Sequence, residues 1–210
     1  ILVATMINKI TNDIYMPPFI MNKINSFKPF VGGSWDRKDK AIIIFKRLLR
    51  KQLLTAQNNC CAYCGLPLGE TGKTEIEHLV AKGGPKRPKH IEFTFEVENL
   101  YLSCNLCNSP LKKGTKETLI YKDPISYSNC TFSIVHPRYD TPNLHYSWVV
   151  SAVEVLIQGI TDKGRESIKM FKLDSPPHNE ARARIEMLRR YKMLINSPQI
   201  DQINAALRYN

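Results

Sequence analysis

The sequence predicts an α+β protein in which a small zinc-stapled core sits between helical N- and C-terminal additions. Three observations carry that expectation. Two Cys-x-x-Cys pairs, Cys61–Cys64 and Cys104–Cys107, have the spacing that clamps one ion. Between them, Thr74 to Leu79 and Leu100 to Leu102 read as short strands. On either side, apolar residues recur at helical spacing, at Ala41, Ile44, Phe45, Leu48 and Leu49 and again at Ala181, Ile185, Leu188, Tyr191 and Ile195. The organisation expected is an extended arm over 1–33, a basic amphipathic helix over 34–59, the core over 60–118, and a mixed, mainly helical region over 119–210.

The arm is broken by Met16-Pro17-Pro18-Phe19 and by Gly32-Gly33, and its Ile14, Tyr15, Phe19 and Ile20 either pack on the body or dock on a partner. Ser34 or Asp36 is placed to cap the helix that runs to about Gln57. The polar face of that helix, with Arg37, Lys38, Lys40, Lys46, Arg47, Arg50 and Lys51, is either a solvated surface or one that tracks phosphates. Val80 to Lys89 then forms a basic, glycine-containing loop in which Lys82, Lys86, Arg87 and Lys89 suit a nucleic-acid backbone. Phe93, Phe95 and Val97 alternate with polar residues as in a half-buried strand or an extended connection. A helix is expected over 105–113, with Pro110 in its first turns and Lys112 and Lys113 available to phosphates or solvent. Beyond Gly114 the chain reads as irregular with short strands, then a strand over 148–157, a short helix after Gly164, a longer one opened by Ser175-Pro176-Pro177, and a last one over 199–209.

Composition narrows the function. With 30 Lys+Arg against 19 Asp+Glu and a formal charge of +11, the surface attracts polyanions, nucleic acid foremost, although charge alone does not separate DNA, RNA and an acidic protein. No run approaches the roughly 18 consecutive apolar residues of a membrane span. Ile1 to Ile10 is apolar but short and lacks a basic leader, so a cytoplasmic protein with no membrane partner is expected. In a reducing compartment paired Cys-x-x-Cys spacing argues for metal rather than disulfides. Cys60 adjoins Cys61, but only Cys61 with Cys64 has the two-residue gap, which gives Cys61, Cys64, Cys104 and Cys107 as a closed structural zinc site. Cys60 and Cys130 are left over, and His136, His145 and His178 lack any context beyond a structural one.

Between the cysteine pairs lies the doublet Glu77-His78. An imidazole titrates near neutrality and serves as a general base, while a carboxylate is a hard ligand for Mg²⁺ or Mn²⁺. Neighbours on a regular strand point to opposite faces, so both reach one site only where the strand ends or twists.

The ordered elements Cys61-Ala62-Tyr63-Cys64-Gly65, Glu75-Ile76-Glu77-His78-Leu79, Glu98-Asn99-Leu100, Cys104-Asn105-Leu106-Cys107-Asn108 and Lys112-Lys113-Gly114 resemble the HNH endonuclease family over about a quarter of the chain. The resemblance implies a treble-clef-like ββα-metal core in which His78 is the general base and Glu77 the acidic metal ligand. It also implies that Asn99 ties the loop across the hairpin and orients the base, and that Asn108 is the second ligand of a catalytic Mg²⁺ or Mn²⁺. Glu at 77 and Asn at 108 depart from the more usual Asp and His, favouring a hard cation. A second set, His136-Pro137, Asp140-Thr141-Pro142, His145-Tyr146, Ser167-Ile168, Phe171, Leu173 and Arg182, resembles the HNH nucleases of anti-phage defence, in particular the PtuB-type subunits of Septu systems and of related retron modules. That likeness implies an ABC- or SMC-like (PtuA-type) ATPase partner and, in a retron complex, a reverse transcriptase and its DNA product. DNA is the expected substrate, with RNA, including transfer RNA, or a non-catalytic zinc module that binds nucleic acid as the alternatives.

Overall fold

The computed structural model describes residues 7–69, 72–109, 112–150, 153–196 and 198–207. Pro110 and the expected end of the last helix at Tyr209 lie outside them. The architecture mixes helices with small antiparallel ladders, α+β in character.

The N-terminal stretch is not simply extended. Pro18–Asn25 forms helix α1, opened by Pro17 and Pro18, whose fixed φ suits a first turn. Its Ile20 and Ile24 are buried against Ile42, Phe45, Leu49 and Leu53 of α2, Lys40–Ala56. Ser34 and Asp36 sit in a separate 3₁₀ turn, so neither caps α2; the helix begins after Asp39, whose carboxylate instead pairs with Arg37.

The centre is a two-stranded antiparallel ladder of β1, Thr74–His78, and β4, Leu100–Cys104, with Glu77 opposite Tyr101 and His78 opposite Leu100. Alternation along β4 divides the interior in two. Leu100 and Leu102 face the α1–α2 layer with Phe30 and Phe95, whereas Tyr101 joins a second core with Tyr63, Leu66, Phe132, Phe171 and Leu173. Between the strands lie a small hairpin of β2, Gly83–Gly84, and β3, Arg87–Pro88, and two 3₁₀ turns, Ile91–Phe93 and Val97–Asn99. Residues 93–97 are therefore not a strand. Phe93 and Phe95 are buried as their alternation suggested, one in each core, but the backbone closes short bonds such as Thr94 N–H to Ile91 O at 3.1 Å. The helix after β4, α3, is a single turn, Asn105–Asn108, shorter than expected.

Ladders β5, Leu119–Tyr121, with β6, Thr131–Phe132, and β7, Tyr146–Val150, with β8, Val153–Gly159, follow. The single strand expected over 148–157 is thus a strand pair. Helices α4, Asp162–Phe171, and α5, Pro176–Ile195, pack on β8, and α6, Ile200–Leu207, follows them. Gly164 allows α4 to abut the chain at His145, whose carbonyl would lie 2.1 Å from any added Cβ. Only part of the apolar stripe expected on α5 is covered: Ala181 and Ile185 pack inward, whereas Leu188, Tyr191 and Ile195 are exposed where the helix continues away from the core. No helix among the described residues is long and apolar enough to cross a membrane.

A candidate zinc cluster and the cleft beside it

Cys61 and Cys64 stand on the turn before β1, Cys104 ends β4, and Cys107 lies in α3. All four are buried, and their sulfurs lie within 4.8 Å of one another. The Cys64 and Cys104 sulfurs are 3.7 Å apart, far longer than a disulfide and close to the ~3.8 Å edge of a tetrahedron of thiolates ~2.3 Å from zinc. The donor set and its size therefore fit zinc. Burial pushes the Cys64 and Cys107 thiols well above their ordinary values. Four thiolates in such a place need a cation to hold their charge. The ladder tightens the site, with Cys104 N–H donating to Cys61 Sγ at 3.5 Å and Ala62 N–H to Leu102 O at 3.1 Å. His178, at the start of α5, was given only a structural role by its sequence context; its Nε2 lies 3.6 Å from Cys107 Sγ while Nδ1 meets Ser175 Oγ at 3.2 Å. Nothing local signals that contact, which joins residues far apart in the chain.

His78 closes β1 and is buried. Its Nε2 lies 3.0 Å from the Thr94 carbonyl, which only accepts, so Nε2 carries the proton and Nδ1 keeps a lone pair. Trp35 meets the ring edge to face at 4.6 Å. Burial lowers the His78 pKa to about 3, the Thr94 carbonyl opposing and Lys82, Lys113 and Lys46 reinforcing the shift, so the imidazole is neutral at neutral pH. Asn99 is fully buried and uses both ends of its amide: Oδ1 accepts from Val80 N–H at 2.7 Å and from the Tyr127 hydroxyl at 3.0 Å, and Nδ2 donates to the Val80 and Phe93 carbonyls, each at 3.1 Å. The Phe93 carbonyl lies one peptide before the Thr94 carbonyl that receives His78 Nε2–H, so Asn99 anchors the chain just ahead of the group that orients His78.

Glu77 points to the other face of β1, as does Glu75. Lys113, expected to touch phosphates, is instead fully buried: its ammonium donates to Glu77 Oε1 and, at 2.6 Å, to the His78 carbonyl. Burial raises the Glu77 pKa and Lys113 opposes the rise. Asn108 does not bond Glu77; its Nδ2 donates to Glu75 Oε2 at 2.9 Å, leaving its amide oxygen for another partner. Glu75, absent from the expected set, thus shares a face with Glu77 and Asn108. The carboxylates of Glu75 and Glu77 and the amide oxygen of Asn108 are hard donors of the type that Mg²⁺ or Mn²⁺ takes.

Strand β1 pairs only with β4 among the described residues, so its other edge is open, and a cleft of about 640 Å³ runs along it. Both faces of the strand meet at this edge, and Glu75, Glu77 and His78 line the cleft with Trp35, Lys46, Arg47, Arg50, Lys73 and Lys82. Of the other cations expected at nucleic acid, Lys86 and Arg87 are exposed on the β2–β3 hairpin, Lys89 is tied to the Thr115 carbonyl at 2.6 Å, and Lys112 is half-buried near the cysteine cluster.

His136 gives a separate test of the fold. It is fully buried, its Nδ1 accepts from the Arg138 and Tyr139 amides at 3.2 Å each, and it stacks on Tyr139. Burial lowers its pKa to about 3, against roughly 6.5 when unfolded. Between those values the unfolded chain binds the extra proton, so the contribution is complete above the unfolded pKa and is lost as pH falls through that window. At pH 5.5 the loss is expected to be roughly 1.4 kcal/mol relative to pH 7.5. Urea unfolding of the parent and of His136→Gln at both values checks this: the variant should lose less stability on acidification, and equal losses would contradict it.

No family model matches the chain. It is 26% identical over 163 residues to the Septu protein PtuB of Bacillus thuringiensis, an alignment covering 77% of this chain and 51% of that protein. The chain therefore spans about half the length of the curated relative that it matches.

Proposed function

We propose that this chain is a divalent-cation-dependent endonuclease of the HNH type, the nuclease component of an anti-phage defence complex. The observation that carries the reading is the tautomer and place of His78: Nε2–H is committed to the Thr94 carbonyl, and the remaining lone pair belongs to a neutral imidazole lining a cationic cleft. The likeness to a Septu protein supports the defence assignment.

In this reading His78 Nδ1 takes a proton from water as its oxygen attacks phosphorus, and the leaving 3′ oxygen departs in line and takes up a proton from solvent, giving a 3′-hydroxyl and a 5′-phosphate. Glu77 and Asn108, with Glu75 beside them, would hold Mg²⁺ or Mn²⁺. When bound, that cation neutralises charge on the phosphoryl oxygens. Lys113 pairs with Glu77 in its buried place, opposing the rise that burial gives its pKa, and fixes the peptide at His78. Asn99 holds the Phe93–Thr94 peptide, one before the Thr94–Phe95 peptide whose carbonyl orients the base. An ABC- or SMC-like ATPase is the partner this role calls for, and DNA the first substrate to test, with transfer RNA alongside.

The cation requirement is tested by cleavage of supercoiled plasmid and of transfer RNA in Mg²⁺. Cleavage of one of them by zinc-loaded protein should be absent without added Mg²⁺ or Mn²⁺, return when either is added, and drop at least ~100-fold in Glu77→Gln, with zinc content unchanged. Equal cutting with and without the added cation would contradict the role given to it.

A further inference from the structure

The cleft carries an imbalance of charge that its own side chains do not settle. Five cations, Lys46, Arg47, Arg50, Lys73 and Lys82, line it against two carboxylates, Glu75 and Glu77. Both carboxylates are already matched: Glu77 by the buried ammonium of Lys113, Glu75 by Lys73 at 3.3 Å and by the Asn108 amide. The cations of α2 are fixed by neutral groups instead. Lys46 Nζ donates to the Trp35 carbonyl at 2.5 Å and sits 4.3 Å from the centre of that indole, and Arg50 Nη2 donates to the Thr74 carbonyl at 3.3 Å. Arg47 is exposed one turn from Arg50. Burial lowers the Lys46 pKa, with Asp36, which also lies 4.0 Å from Lys82, opposing the shift only in part, so placing this ammonium beside Trp35 still costs free energy. A carbonyl holds a cation in place without cancelling its charge, which preorganises it for an anion brought from outside.

Resting on the nuclease reading, we propose that the α2 wall of the cleft is the phosphodiester cradle, with Lys46, Arg47 and Arg50 seating the strand alongside β1 so that a backbone phosphate meets His78. The exposed cations of the β2–β3 hairpin, Lys86 and Arg87, are then accessory. The shared chemistry is a sugar-phosphate backbone, and separate DNA and RNA arms of the test identify its source.

Binding is measured by fluorescence anisotropy with zinc-loaded His78→Ala protein, using labelled single-stranded DNA, duplex DNA and RNA over a salt series. Changing Lys46, Arg47 and Arg50 together to Gln should weaken binding at least ~10-fold and lower the slope of log Kd against log salt by roughly 2–3. Lys169→Gln on α4 should stay within about twofold of the parent, and the pair Lys86→Gln and Arg87→Gln should weaken binding less than the triple cleft variant does. Should the triple variant lose zinc or helix signal, Arg47→Gln and Arg50→Gln alone carry the test, each lowering the slope by roughly 0.7–0.9. Loss confined to the DNA or the RNA probes names the substrate class. Unchanged affinity and slope in the cleft variants, or no salt-dependent binding of any probe by the parent, would overturn the proposal. Cleft-dependent binding without cleavage by the wild-type chain would remove the nuclease reading and leave the cradle standing; cleavage with cleft-independent binding would do the reverse.

Discussion

Chelation of the zinc, or Cys104→Ser, is expected to abolish cooperative unfolding of the core. The ladder at its centre has five residues in each strand, and an isolated two-stranded ladder is marginal in water. It is joined to the rest by the cysteine turn, by the core around Tyr63, Leu66, Phe171 and Leu173, and through Leu100 and Leu102 by the α1–α2 layer. A four-thiolate zinc site contributes about 10–16 kcal/mol to folding in small zinc modules, as large as the whole stability of a typical domain, about 5–15 kcal/mol. Helices α1 and α2 also pack on each other through Ile20 and Ile24 against Ile42, Phe45 and Leu49, so a helical signal should persist while near-ultraviolet signal and protease resistance around Cys61 to Cys107 are lost. Zinc per chain, circular dichroism and limited proteolysis with and without chelator check this. A metal-free chain unfolding at an unchanged midpoint would contradict the zinc assignment.

His78→Ala is expected to lower cleavage by about 10²–10⁴-fold, the usual contribution of a positioned base. Zinc content should not change, because the His78 ring contacts Trp35 and Thr94 rather than the cysteines. The substitution also leaves a void beside Trp35, so His78→Gln, which keeps most of the volume, is the control for misfolding. Both should be inactive and the second close to parental stability. Full activity in either would remove His78 from the reaction.

The cysteine cluster was legible because each pair brings two ligands from one tight turn, a relation written locally in Cys61–Cys64 and Cys104–Cys107. The strands Thr74–His78 and Leu100–Cys104 were legible for the same reason. What sequence could not carry was set by contacts between distant segments. Helix α1 was read as an arm because its eight residues are short for an isolated helix and gain their order from Ile42, Phe45 and Leu49. Residues 93–97 alternate like a strand, yet their backbone bonds within itself, and among the described residues the sheet pairs β1 with β4 alone. At the site, Lys113 resembled any basic residue near a helix end until the structure buried it against Glu77. Thr94 and Trp35, which hold and border His78, carry no motif at all. Glu75 was passed over because the doublet that follows it drew the assignment.

The most direct test of the account is single-turnover cleavage of labelled DNA and transfer RNA in Mg²⁺ by equal amounts of zinc-loaded wild-type and His78→Gln protein, each alone and with any ATPase that co-purifies with it. Cation-dependent cutting of one substrate by the wild type, absent from the variant in both settings, is the expected result. Equal cutting by both proteins, or none by the wild type even with the ATPase, would contradict a nuclease that uses His78 as its base.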